Sequence, residues 1–551
     1  MPILNRLLLT AALLSTPALA ASTPADGVPA ACGQTLDRKA WMFQGQGGWF
    51  YYGDELSGRW TARPWAEARA AFVPGAARLA AALRARGVQL VVAPVPPRSF
   101  VVPGHLNAAF PTEKAFDVAG ARAFYQGLVG DLRAAGIPTA DLLTPAAALG
   151  DAGVFRQDIH WTPQGAQVAA HAVADTLRQA GRTPGGTPYV NVRAGTVTRE
   201  AQAQPVLAQL QALCGLSVPP ETFGDYQSRP DEGLVAAPGN FGGSEGSVRW
   251  AFGPVASVTF LARRAGQVTV NVAFENPVRD QRVDVVFGRR TLDTVSGLQP
   301  GANVTRRWTL DAQAGSNTLE FRFADHNGGR TPFAPGDGRP LAAVFRTLTL
   351  SGPDGTADLV SDGAAGAGLL GGAADTVLVG ASSSLPNLNF AGFLQEELGT
   401  RVDNVSFGGA GVYSSLKDYL LDPAFTASTP KTLIWQIPLL GGDDTAESDL
   451  RFLTAAARSA GSVAGTASGT GRASLDVAGV TDGVARVHVN DAGVKAVTVK
   501  VTAAGGTRTF EVSNSERMTH RQEYLLDLSG LGRVTRVEAS ANGPLTLSVT
   551  R

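Results

Sequence analysis

Val377-Leu378-Val379-Gly380-Ala381-Ser382-Ser383-Ser384 carries an apolar run straight into a glycine and then into small side chains. Such a run reads as a buried strand, and the small residues after it as the turn at its carboxyl end. In α/β proteins that end of a parallel strand is where ligand and catalytic groups gather. Ser382 is therefore a nucleophile candidate, with its own N–H a candidate oxyanion donor. A plain structural turn uses the same residue types, so on these residues alone both readings stand. The segment is not a Gly-x-Ser-x-Gly elbow, and the chain has no His-Glu-x-x-His zinc helix and no Gly-x-x-x-x-Gly-Lys phosphate loop.

Working outward, the flanking segments alternate in α/β fashion. Val88–Val95 is a continuous apolar strand closed by Pro96-Pro97, and Val118–Ala135 has helical spacing at Phe124, Leu128 and Leu132 before Gly136. Thr139–Leu143 is expected to be a further strand, and Thr162-Pro163 caps a helix through about Leu177. Beyond the serine segment come a helix at Phe390–Leu398, a strand at Val402–Val405, a helix at Ser414–Leu421 and a strand at Thr432–Pro438. Between these halves, Ser247–Phe252, Ser257–Leu261, Gln267–Phe274, Gln281–Phe287, Val304–Leu310, Asn317–Phe323 and Ala342–Leu350 are short alternating runs, the pattern of an antiparallel jelly-roll sandwich. The expected organisation is an α/β domain in two parts, 32–224 and 372–459, interrupted by a sandwich at 225–355 and followed by a second small sandwich at 473–551. Gly/Ala-rich 356–372 and Ser459–Gly471 read as connectors.

The 551 residues hold 47 Lys+Arg against 47 Asp+Glu, for a formal charge of zero. A chain so balanced lacks the electrostatic footprint of a nucleic-acid binder, and no nucleic-acid partner is expected. Met1–Ala20, with Arg6, an apolar run at Leu7–Leu14 and Ala18-Leu19-Ala20, reads as a cleavable export signal, which places the protein in the periplasm or cell envelope. In an oxidising compartment the two cysteines, Cys32 and Cys214, read most simply as one disulfide, two separate buried thiols being the alternative.

Six histidines are available as a general base. His171, His326, His488 and His520 fall in helix, turn, strand and loop settings that suit packing or solvation, and His105 has no carboxylate nearby in sequence. His160 differs, because Asp158-Ile159-His160-Trp161-Thr162-Pro163 sets a carboxylate two residues before the ring. An Asp so placed turns back to Nδ1–H and leaves Nε2 to take a proton. A capping Asp beside a structural His is the alternative.

Taken together, Gly47-Gly48-Trp49-Phe50-Tyr51-Tyr52-Gly53-Asp54-Glu55-Leu56, Val92-Ala93-Pro94-Val95-Pro96-Pro97-Arg98, the Asp158–Ala166 segment, Leu378–Ser384, Gly408-Gly409-Ala410-Gly411 and Ile434-Trp435-Gln436-Ile437-Pro438 resemble, in this order, the alginate O-acetyltransferase group of AlgJ/AlgX-type SGNH-hydrolase-like proteins. The resemblance implies an SGNH-hydrolase-like parallel sheet flanked by helices, in which the Asp-x-His pair precedes the serine. It implies Ser382 as nucleophile, His160 as base and Asp158 as its orienter, with Gly408–Gly411, Gly409 included, near the oxyanion or acceptor groove. It also implies an AlgX-like disulfide between Cys32 and Cys214 and a carbohydrate-binding role for the last sandwich. Arg98, Trp161 and Tyr413 are expected in the substrate cleft. The chain departs from the pattern in Ala381 for Thr, Gln436 for Glu, and the inserted sandwich, so alginate is not carried over as the substrate.

The expected activity is transfer of an acetyl group through Ser382 to a hydroxyl of a polysaccharide acceptor, with no cofactor or metal, the acetyl group coming from a membrane or envelope partner. An SGNH-type acetyl esterase and a non-catalytic glycan-binding envelope protein are the alternatives.

Overall fold

The computed structural model describes residues 42–56, 63–182, 185–198, 212, 221–330, 332–361, 374–439, 446–458 and 461–551. The export signal, Cys32 and Cys214 lie outside the described residues.

The serine strand is central. A fully parallel sheet runs Val402–Asn404, Thr376–Val379, Thr432–Pro438, Gln89–Val95, with Val379 paired to Trp435 and Trp435 to Val92. The middle strands are apolar on both faces because helices cover both: Arg63–Ala85 and Val118–Ala134 pack on one core, Pro163–Gln179 and Phe390–Leu398 on the other. The strand expected at Thr139–Leu143 shrinks to a single parallel bridge between Thr139 and Val92. Asp141 is the cause: its carboxylate accepts from Leu143 N, Thr144 N and the Thr144 hydroxyl, turning the chain into the helix Leu143–Leu149.

A two-stranded ribbon, Tyr189–Thr198 with Thr222–Pro230, lies against the Phe390–Leu398 helix, where Asn191 Nδ2 donates to Gly392 O and Gln395 Nε2 donates to Ser228 Oγ. The sandwich follows it. One sheet has the strand order Ala302–Ala312, Gly266–Asn276, Leu341–Gly352, Val248–Phe252, Phe241–Glu245, with Gly355–Asp358 added on Leu341–Gly352. Its partner sheet has the order Arg290–Leu298, Gln281–Phe287, Gly315–Phe323, Val255–Ala262, Val235–Gly239. Strand alternation supplies the core between them: Val268, Val270, Val272 and Phe274 all point inward, and Phe345 packs on both Phe274 and Phe321. The start of the segment read as a connector at 356–372 thus belongs to this sheet, because its backbone pairs with Leu341–Gly352.

Most of the connector expected at Ser459–Gly471 is strand, from Val463 onward. Val463–Val480 runs antiparallel to Val534–Thr550 along nearly its whole length. Ladder bonds are made by backbone, so a Gly/Ser/Thr stretch with no hydrophobic pattern pairs once a long partner lies beside it. Ala496–Ala503 and Gly506–Ser513 join one half of this pair, Val484–Val489 and Glu523–Asp527 the other. The two halves of the one six-stranded sheet close over a common core that includes Val487, Val499, Leu526 and Leu547. The helix Ala446–Ala457 joins this unit to the α/β domain by giving Leu450 and Leu453 to the α/β core and Phe452 to the β core. Among the described residues no helix is long and apolar enough to cross a membrane.

Candidate active site

The serine turn is fixed by side chains from several elements. Gly380 O accepts from Ser415 Oγ at 2.5 Å, and Ala381 N and Ser384 Oγ both donate to Gln436 Oε1, at 2.9 and 3.1 Å. Ser383 O accepts from Trp161 Nε1 at 2.9 Å and Ser384 O from Asn404 Nδ2 at 2.6 Å. Gln436 lies one residue beyond the Val379–Trp435 pair, so its buried amide sits directly beside Gly380. A Cβ on Gly380 would stand 2.4 Å from Gln436 Oε1, which explains the glycine ahead of the serine. Ser382 opens the short 3-10 turn Ser382–Ser384 and is partly exposed.

The other half of the site is the loop before the helix Pro163–Gln179. Thr162 accepts from Gly165 N at 3.2 Å as the N-cap, and a Cβ at Gly165 would collide with Gly153 O at 1.9 Å. A bridge between Val154 and Trp161 closes the loop, and inside it Asp158 Oδ1 accepts from His160 N at 3.0 Å and meets His160 Nδ1. The Asp-x-His segment thus folds back on itself, leaving Nε2 outward. His160 Nε2 lies 2.7 Å from Ser382 Oγ, although the residues are 222 apart in sequence. The His160 and Asp158 side chains are 14% and 5% exposed, so the pair is shielded while the serine keeps an open side.

Beneath this loop lies a buried ion pair. Arg98 Nη2 meets Glu55 Oε1 at 2.6 Å, and Arg98 Nη1 donates to the Phe155 and Arg156 carbonyls, both at 3.0 Å. Nε reaches Glu55 Oε2 at 3.3 Å and Nη2 also reaches Phe50 O at 2.5 Å, which uses all the guanidinium donors. Burial works against the Arg98 charge, and Glu55 holds it above the ordinary arginine value. From the other side, Glu221 accepts from Arg156 N at 3.0 Å and Gln157 N at 3.1 Å.

The structure thereby brings together Ser382, His160 and Asp158 and takes three expected cleft residues out of the cleft. Arg98 is fully buried and its donors are committed. Trp161 is buried against Phe390, with ring centroids 4.9 Å apart, and ties the histidine loop to the serine turn. Tyr413 is buried on Trp435, with centroids 6.1 Å apart, ahead of the helix Ser414–Leu421. The two aromatics present large apolar surfaces that core packing claims before a ligand can, and the arginine is claimed by its buried carboxylate and carbonyl partners. Gly409 remains exposed, with φ of 74° and the Arg517 guanidinium lying over it. Arg517 Nη1 donates to Gly408 O, and His520 N donates to Asp418 Oδ1 at 2.9 Å, so a loop of the last β unit adjoins the Gly408–Gly411 turn.

Sequence reasoning gave no role to Glu55, although it lies in the Gly47–Leu56 motif, and missed the supporting groups Glu221 and Asn404, which are single polar residues far away in the chain. It also missed that His105 has a carboxylate, since Asp151 Oδ1 lies 2.7 Å from His105 Nε2. Among the described residues no three His, Cys, Asp or Glu side chains converge as a metal site.

A model of the family described as "SGNH hydrolase-like domain, acetyltransferase AlgX" matches residues 42–248 and 340–439, more than half of the chain. Alginate biosynthesis protein AlgX of Pseudomonas fluorescens is 44% identical over 90 residues, which is 16% of this chain and 17% of that protein. Probable alginate O-acetylase AlgJ of the same organism is 39% identical over 105 residues, 18% and 25% of the two chains. The matched stretches thus span a quarter or less of these relatives' own length. The solved structure of Pseudomonas aeruginosa AlgX aligns with a TM-score of 0.53 at 20% identity, over 93% of this chain and 94% of that one, a likeness of fold.

Proposed function

We propose a function from one premise: the chain belongs to the AlgX-type family of SGNH hydrolase-like acetyltransferase domains. On that footing it is an exported O-acetyltransferase that moves an acetyl group onto a polysaccharide hydroxyl through an acetyl-serine. The observation that carries the reading is the 2.7 Å contact between His160 Nε2 and Ser382 Oγ, with Asp158 on Nδ1.

Asp158 holds the Nδ1–H tautomer, so Nε2 faces the serine as a base. Ser382 Oγ attacks the acetyl carbonyl of the donor while its proton passes to Nε2. The tetrahedral intermediate collapses, the bond from acetyl carbon to donor breaks, and His160 returns the proton to the leaving group. A sugar hydroxyl then gives its proton to His160, attacks the acetyl-serine, and displaces Ser382 Oγ, which takes the proton back. Ser382 N–H, the first of its 3-10 turn, is the candidate donor to the oxyanion. A polysaccharide acceptor fits the β unit docked beside the Gly408–Gly411 turn, and a membrane or envelope partner supplies the acetyl group. The same reading exports the chain behind Met1–Ala20, pairs Cys32 with Cys214, and treats 225–355 as an insertion in a domain formed by 32–224 and 372–459.

The test uses p-nitrophenyl acetate as donor and an oligosaccharide acceptor. A peptide carrying acetyl on Ser382, and acetylated oligosaccharide that disappears in Ser382→Ala, are expected. Acetate release without sugar acetylation makes the protein an esterase. No acyl-enzyme, with glycan binding intact, makes it a binding protein.

A further inference from the structure

Away from Ser382, a cavity of about 310 Å³ opens where the ribbon meets the inserted sandwich, lined by Arg229, Glu232, Val235, Arg249, Asp358 and Ser361. Two arginines share it, and neither is on the surface in the usual way: Arg249 is 4% exposed and Arg229 is half-buried. Arg229 Nη2 donates to Gln227 Oε1 at 2.9 Å, but its Nε is sealed from solvent with no acceptor, and Arg229 forms no ion pair among the described residues. Asp358 is already engaged, accepting from Val360 N at 3.0 Å and Ser361 Oγ at 2.9 Å. Burial depresses both arginines below their ordinary value, and Arg249 is depressed further by the Arg229 charge, with Asp358 offsetting part. An arginine does not shed its proton in a protein, so the depression at Arg229 marks desolvated positive charge short of a counterion. Exposed Glu232 adds an acceptor at the mouth.

We propose that this cavity is a second ligand site, which takes a hydroxylated small molecule bearing one oxyanion, carboxylate or phosphate, between Arg229 and Arg249. Guanidinium forks match both oxyanions by paired charge-assisted hydrogen bonds, and Glu232 accepts from a hydroxyl of the same ligand. The volume sits at the small end of ordinary ligand pockets, room for about one sugar-sized unit. The site is independent of the acyl chemistry at Ser382.

Calorimetric titration of the full chain with glucuronate, glucose 6-phosphate, glucose and inorganic phosphate tests this. Glucuronate or glucose 6-phosphate is expected to bind at least about tenfold more tightly than glucose and than inorganic phosphate, the arms identifying which oxyanion is preferred. Arg229→Gln is expected to lose at least about tenfold in affinity while melting no lower than the parent, because the lost charge had no counterion. Glu232→Ala, a change at an exposed residue, is expected to weaken binding less, and Ser382→Ala to leave it unchanged. The proposal is overturned if no sugar anion binds, if inorganic phosphate binds as well as they do, if Arg229→Gln binds normally, or if it melts several degrees lower, which would mark the arginine as structural.

Discussion

Arg98→Met tests the support of the histidine loop most directly. The substitution keeps a long apolar side chain but removes every guanidinium donor, which strands Glu55 as a fully buried carboxylate and takes the Arg98 donor from the Phe50, Phe155 and Arg156 carbonyls. Breaking a buried pair from one side costs about 3–5 kcal/mol. In a domain of this size each kcal/mol lowers Tm by about 2–4 °C, so the α/β transition should fall by roughly 6–20 °C. Replacing both partners leaves no lone charge, so Glu55→Gln with Arg98→Met should recover much of the loss, and a double-mutant cycle should give a coupling of about 2 kcal/mol or more. There is also a kinetic consequence. The Phe155 and Arg156 carbonyls lead directly into Asp158, and a shift of about 1 Å in a positioned group costs up to about a hundredfold in rate. Arg98→Met should therefore lower kcat for p-nitrophenyl acetate about tenfold or more with KM nearly unchanged. Differential scanning calorimetry and steady-state kinetics read both quantities. A variant that melts within about 2 °C of the parent and turns over normally would refute the argument that this pair holds the loop.

Three further outcomes rest on the geometry. Trp161→Phe keeps the contact with Phe390 but leaves the Ser383 carbonyl, in a buried residue, without its donor; urea unfolding should show a loss of about 1–3 kcal/mol, and kcat should fall more than KM changes. Gly380→Ala puts a Cβ 2.4 Å from Gln436 Oε1 and 2.8 Å from Ser384 Oγ, so the amide must swing off Ala381 N; circular dichroism should show a folded protein, and acetyl-serine formation should be largely lost. Asp225 is raised above its ordinary pKa of 3.8 by burial, with Gln227 offsetting part. A raised carboxyl contributes stability below its unfolded pKa and loses it as pH rises through the folded value, so Asp225→Asn should be more stable than the parent at pH 7, with the gap closing below about pH 3.8. Equal unfolding free energies at neutral pH would contradict that burial.

Much of the fold is legible in the sequence because its signals are local. The strands Thr376–Val379 and Thr432–Pro438 and the helices Phe390–Leu398 and Ser414–Leu421 agree with the sequence pattern to the residue, each being an apolar run or helical repeat bounded by small or turn-forming residues. The Asp158–His160 contact is legible for the same reason, since two residues of chain suffice to fold the carboxylate back. The strand Val463–Val480 is not, because a Gly/Ser/Thr stretch has no side-chain pattern and becomes a strand only beside Val534–Thr550. Thr139–Leu143 fails in the opposite direction: its apolar pattern suits a strand, and one carboxylate, Asp141, turns it into a helix start.

By itself, then, the sequence determined the α/β class, the two added β units, the residue types able to perform acyl transfer and the Asp158–His160 half of the site. Only the tertiary structure decided that Ser382 meets His160, that Arg98, Trp161 and Tyr413 are supports and not cleft residues, and that Arg229 and Arg249 share a cavity. Periodicity and turn chemistry act over a few residues and leave their mark on the chain. The burial of an arginine, or the approach of two side chains 222 residues apart, depends on where whole elements pack, and no neighbouring residue records it.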